Sequence, residues 1–225
     1  MTNFFNTDGV IHKVSTLICD ILILSLLWLF FSIPLVTIGA STTALFFFTT
    51  RRISNREGTL WRDFWNSFKS NFKQATLIWL MIVAVGFLLF VSVSSINAID
   101  NPTLRILILF MQIPMIIEFI LVSLYIFPIL SRFEVSLGEV LKSAFTMANR
   151  HILTSISFLV IALTVILAAS FFPIFFLVGI GVYAYFSSFL FMRVFRKYRP
   201  EIDTAYRVPQ TLEEGSEMLE AGADA

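Results

Sequence analysis

The sequence predicts an all-α fold, a polytopic helical membrane bundle of about six transmembrane helices with a count of five as the alternative, and three observations predict it. Apolar runs long enough to cross a bilayer follow one another along most of the chain. Basic residues gather in three segments that follow such runs. Hydrophobic residues make up 57% and charged residues 14%, with 26 Phe, far from the roughly 25% charge of soluble domains.

A formal charge of +1 hides a strong asymmetry, because seven of the fifteen acids lie after Pro200 while most Lys and Arg sit between or beside the apolar runs. Cys19 is the single cysteine, which rules out an intrachain disulfide and leaves it without partners for a zinc site. It is expected to pack at lipid depth.

Residues 1–13 are short and mixed and are expected to form a tail at the membrane surface. Val14–Ile33 is too long for the apolar core of a signal peptide and is expected to stay in the protein as the first span. Pro34 lacks a donor and biases Ile33 away from helical geometry, and Gly39 follows, so the chain turns between them. Leu35–Thr50 is slightly short for a span. It either crosses, with Arg51 and Arg52 reaching to the surface, or is re-entrant.

Six basic residues (Arg51, Arg52, Arg56, Arg62, Lys69, Lys73) face only Glu57 and Asp63 in the next segment, which is cytoplasmic by the positive-inside rule. Within it Leu60, Phe64, Phe68 and Phe72 recur every four residues beside Trp61 and Trp65, with Arg62, Asp63, Asn66, Lys69 and Lys73 opposite. That pattern describes an amphipathic helix in the interface, either facing lipid or packed on the protein's own spans. Trp61, Arg62, Phe64, Trp65, Phe68, Lys69, Phe72 and Lys73 are its candidate contact residues.

Ala75–Ile96 returns the chain to the outside, Asn101-Pro102 initiates a turn, and Leu104–Leu130 comes back with Pro114 and Pro128 as possible kinks. Ser131–Arg150 is the second cytoplasmic segment. Ser136 with Glu139 fits a capping box, and Leu137, Leu141, Ala144, Phe145 and Ala148 trace one face of a second interfacial helix. Leu60, Phe64, Phe68 and Lys73 match Leu137, Leu141, Phe145 and Arg150 at a constant offset of 77, a pattern that any two amphipathic helices can share. From His151 to Met192 no Asp, Glu, Lys or Arg occurs, which requires two spans divided at Pro173. Arg193, Arg196, Lys197 and Arg199 then stop the last span inside. Residues 1–199 thus form a single helical transmembrane domain, and 200–225 an acidic tail without apolar periodicity, expected to be disordered.

No H-E-x-x-H, G-x-S-x-G or phosphate-binding glycine loop is present, so an enzyme is not expected, and neither a cofactor, a metal nor nucleic acid is implied. Asp20 and Glu118 are the ionisable groups inside apolar runs, where charge is costly. They are candidates for a buried polar or ion site; in the alternative, Glu118 is protonated or bonded to a Ser, Thr or Gln of a neighbouring helix and Asp20 reaches toward the headgroups. Thr37, Ser41 and Thr42 are equally two-sided, since small hydroxyl residues also serve close helix packing.

LLWLFFSIPLVTIGASTTAL (Leu26–Leu45) and FWNSFKSNFKQAT (Phe64–Thr76) resemble the YesL-like family of bacterial membrane proteins, a domain of unknown function. The turn residues Pro34, Thr37, Gly39, Ser41 and Thr42 carry much of that resemblance. It implies a plasma-membrane protein often encoded near sugar transporters and polysaccharide-degrading enzymes, and it implies no catalytic residue. The expected role is a non-enzymatic accessory of carbohydrate uptake, with the lipid bilayer and a sugar transporter or membrane sensor as partners. The alternatives are a small transporter or channel, and a scaffold at the membrane surface.

Overall fold

The computed structural model describes residues 10–53, 59–98, 100–133, 135–172 and 174–198, and every described element is helical. The amino-terminal tail through Gly9, Pro173 and the acidic tail 200–225 lie outside the described residues. Two compact units divide the chain, Met1–Phe191 and Met192–Ala225. In the second, the described residues are the closing turns of the last helix.

α1 (Val10–Phe31) contains neither Gly nor Pro, and the Pro34 turn ends it as expected. A 3-10 turn, Leu35–Thr37, follows. The Thr37 hydroxyl closes the turn on the carbonyls of Phe31 and Pro34. α2 (Ile38–Ile53) then runs to Arg51 and Arg52 in its last turn, where cations suit the helix dipole.

α3 (Leu60–Ser95) is 36 residues long and corrects the expected division between an interfacial helix and a separate span. Neither Pro nor Gly falls near the junction, where Gln74 is a good helix former, so backbone hydrogen bonding continues through the change in composition. At 1.5 Å per residue the helix is about 54 Å long, well beyond the roughly 30 Å of hydrocarbon.

α4 (Pro102–Leu130) starts on an Asn101 cap whose side-chain oxygen accepts from the amides of Thr103 and Leu104, with Pro102 at the first helical position. α5 (Leu137–Arg150) has the expected capping box: the Glu139 carboxylate accepts from the Ser136 amide at 2.9 Å. Its buried stripe differs from the expected one. Val140, Ala144 and Ala148 are buried, whereas Phe145 is 54% exposed, because small residues allow close approach to α4. The offset of 77 therefore fails in burial, since Phe68, the counterpart of Phe145, is covered.

α6 (Ile152–Phe171) and α7 (Ile174–Tyr198) complete the chain. Among the described residues, four helices are long and apolar enough to cross a membrane: α3, α4, α6 and the Val178–Phe195 part of α7. Their apolar side chains are largely uncovered, among them Phe87, Phe90, Phe110, Leu153 and Leu163, as suits a surface facing lipid rather than water. The protein is thus an all-helical, membrane-type bundle. Within the first unit α2 packs most extensively on α3, and α4 on α5.

Candidate functional site

Two ion pairs meet where α1, α2 and α3 come together. Arg52 Nε lies 3.1 Å from Asp20 Oδ2, an ion pair that joins α2 to α1. Arg51 donates from Nη1 to Asp63 Oδ1, also at 3.1 Å, joining the end of α2 to the start of α3. Between the pairs lies a cavity of about 230 Å³ lined by Thr16, Asp20, Phe48, Arg51, Arg52, Leu60 and Asp63. Asp63 is 9% exposed, and its second oxygen, Oδ2, is buried without a hydrogen-bond partner.

Of the residues expected to form a buried ion site, Asp20 is here and Glu118 is not. Glu118 Oε1 accepts from Asn149 Nδ2 at 2.7 Å, an α4–α5 contact. Both carboxylates are therefore answered by side chains of neighbouring helices: Glu118 in the manner of the structural alternative, though by an Asn, and Asp20 by Arg52 rather than by the headgroups. Sequence reasoning named neither Arg52 nor Asp63 as a site residue. A signal was available: two adjacent arginines at the end of one apolar run, with a lone acid just inside each neighbouring run.

The aromatic face of α3 is covered by the protein itself. Phe31 lies against Trp61, Phe64, Trp65 and Phe68 with ring centroids 5.1–6.2 Å apart. Phe64 and Phe68 are buried and Trp65 half-buried, while Trp61, Arg62, Lys69, Phe72 and Lys73 are exposed. Lys69 Nζ sits 4.8 Å from the centre of the Trp65 ring, in cation–π range. The candidate contact residues thus split between an internal cluster and an exposed rim.

The turn that carries the family resemblance is a packing device. A Cβ on Gly39 would meet Trp79 Cβ at 2.7 Å and the Ala75 carbonyl oxygen, so only glycine lets α2 approach α3 this closely. Trp79 Nε1 donates to the Leu35 carbonyl at 2.8 Å and holds the turn on α3. Ser41 and Thr42 bond back to Thr37 and Ile38, one helical turn earlier, and Thr42 also accepts from Trp28 Nε1 at 3.0 Å. Such bonds leave these hydroxyls little capacity for a ligand.

Other polar groups within the apolar helices are used in the same way. Thr49 and Ser188 share a hydrogen bond of 2.7 Å, Tyr125 and Ser155 one of 3.0 Å, and Arg132 Nε donates to Thr50 at 3.0 Å. Ser25 Oγ accepts from the Gly181 amide at 3.2 Å. A Cβ on Gly181 would collide with that hydroxyl, so glycine sets the α1–α7 approach. Outside the apolar helices, the backbone and hydroxyl donors of Ser136 hold the Glu139 carboxyl below its usual range.

Residues 21–93 match a family model described as "Protein of unknown function, DUF624". The match takes in α2, the second half of α1 and nearly all of α3, and so the Arg51–Asp63 pair and Arg52, while Thr16 and Asp20 lie just before it. Over 129 residues the chain is 30% identical to "Uncharacterized protein YesL" of Bacillus subtilis (strain 168), an alignment spanning 56% of this chain and 60% of that relative. No solved structure matches. The chain is thus similar, through residues 21–93, to a family of unknown function and, over 56% of its length, to a YesL protein, with the best-marked segment centred on the α1–α3 assembly.

Proposed function

We propose that this chain is a non-enzymatic, multi-pass protein of the plasma membrane that acts by contact with another membrane protein. One observation supports this reading above the others. Among the described residues, the polar side chains within the apolar helices largely answer one another: Thr49 with Ser188, Tyr125 with Ser155, Glu118 with Asn149, Asp20 with Arg52. A solute pathway needs several polar groups converging on open space, whereas these are spent on joining helices. The resemblance to YesL-like proteins makes the partner a component of carbohydrate uptake, either a transporter or a sensor.

In this reading α1 and α2 cross the bilayer along with the four longer helices. Six spans then place both termini, the first turns of α3, and α5 on the cytoplasmic side, in keeping with the basic residues of those segments. The exposed rim of Arg62, Lys69, Phe72 and Lys73 is the contact surface, and anionic lipid attracts its charges at about 1 kcal/mol each.

Reconstitution separates this reading from that of a transporter. The purified chain in liposomes should pass no sugar unaided, and affinity purification from native membranes should recover a membrane partner that is lost when Arg62, Lys69 and Lys73 become Gln. Sugar flux through liposomes holding this chain alone would overturn the contact role.

A further inference from the structure

We propose that one exposed face of α3 holds an anionic phospholipid, with its phosphate on Lys69 and Lys73 and an acyl chain along Leu77, Leu80 and Phe87. The first support is spacing. Arg62 and these five residues follow one another at intervals of three, four or seven, so they share one face of a helix that runs unbroken from Leu60 to Ser95, and all six are exposed. The face is basic up to Lys73 and apolar from Leu77 onward. A phospholipid presents its parts in the same order, an anionic phosphate and then hydrocarbon.

Charge decides which phospholipid. Asp63, the only acid of α3, lies off this face and is held by Arg51. Among the described residues neither lysine is paired with an acid. Lys69 Nζ rests over the Trp65 ring, a contact that localises the ammonium and leaves N–H donors for a phosphate oxygen. Two unpaired cations favour a headgroup of net negative charge, since a zwitterionic one brings its own ammonium against them.

Depth assigns the phosphate to the lysines and not to Arg62. The apolar stretch of α3 begins at Ala75. Along the axis, at about 1.5 Å per residue, Lys73 stands about 3 Å from Ala75, Lys69 about 9 Å and Arg62 about 20 Å. The headgroup layer on each side of the hydrocarbon is about 5–8 Å thick, so Lys73 lies within it, Lys69 at its edge and Arg62 well beyond. A helix tilt of about 20° hardly shortens these distances. The inference rests on the reading of this rim as a contact surface and names the occupant of its membrane-near part. The two fail separately, because lipid retention is measured on the purified chain with no partner present.

The full chain, purified in detergent and stripped of lipid, would be titrated with phosphatidylglycerol, phosphatidylethanolamine and phosphatidylcholine of matched acyl chains and read by native mass spectrometry. Phosphatidylglycerol should be retained about tenfold better than the other two. Replacing Lys69 and Lys73 together by Gln should erase that preference, whereas Arg62→Gln should leave it nearly unchanged. Glycerophosphoglycerol, which keeps the headgroup without acyl chains, should fail to displace the lipid at equal concentration. An unchanged melting temperature verifies that each variant folds, and should the double variant not fold, the wild-type selectivity and the displacement arm decide. Equal retention of all three lipids, a preference that survives the folded double substitution, its loss in folded Arg62→Gln, or displacement by the deacylated headgroup overturns the proposal.

Discussion

Arg51 and Asp63, 3.1 Å apart, close the end of α2 onto the start of α3, the two most extensively packed helices of the first unit. Removing one partner takes the opposite charge away from a group that is largely covered. Asp63→Ala should therefore lower stability by about 1–3 kcal/mol, read as a fall in melting temperature of the detergent-solubilised protein. A double-mutant cycle with Arg51→Ala should recover a coupling of at least about 0.5 kcal/mol, and simple additivity would show that the pair contributes nothing.

Gly39→Ala tests the close crossing of α2 and α3. The added methyl has nowhere to go between the Ala75 carbonyl and Trp79, so the variant should lose about 1–3 kcal/mol. Gly138→Ala is the control. Nothing lies within 4 Å of a Cβ at that helical position, and the change should be neutral or stabilise by up to about 1 kcal/mol. Equal effects at the two glycines would refute the steric account.

Glu118→Gln keeps an oxygen that can accept from Asn149 and should leave abundance and melting temperature nearly unchanged. Asn149→Asp sets two carboxylates face to face and should destabilise. If Glu118→Gln removes function at full abundance, the carboxylate has a role in proton or ion handling instead.

How much of this was legible in the sequence depends on the range of the interaction. The Pro34 turn and the Ser136–Glu139 box are each written within a few neighbouring residues and formed as read, while Asn101, read only as a turn residue, also caps α4. The end of the supposed interfacial helix at Lys73 was drawn from composition alone. Polarity changes there, but the backbone meets no obstacle, so α3 continues. The pairing of Asp20 with Arg52 joins positions far apart in the chain and needed the packing of α1 on α2 to be seen. In α5, Ala144 and Ala148 are buried as read, but Val140 joins them and Phe145 does not, because closeness of approach to α4 decided the face.

The carboxyl of Glu139 gives a pH test with a defined sign. The Ser136 donors depress its folded pKa below the ordinary glutamate value of 4.5, so the ionised form is the one the fold favours. This contribution is present above the unfolded pKa and is lost as pH falls through the folded one. Hydrogen exchange of the Ser136 amide should therefore quicken as pH is lowered below 4.5, beyond the intrinsic pH effect on exchange. In Glu139→Gln that extra dependence should vanish.

Reporters fused after Gly9, Asp100, Lys142 and Gly215 should read inside, outside, inside and inside if six spans are present. An outside reading at Gly9 with the others unchanged would mean that only one of the first two helices crosses.

The uninterrupted course of α3 has a mechanical consequence. A rod without proline resists bending, so a rotation imposed near Ser95 must turn Trp65 and Asp63 by nearly the same angle. Whatever grips one end of that lever is felt at the other, and the Phe31 clamp and the Arg51 latch are the parts placed to register it.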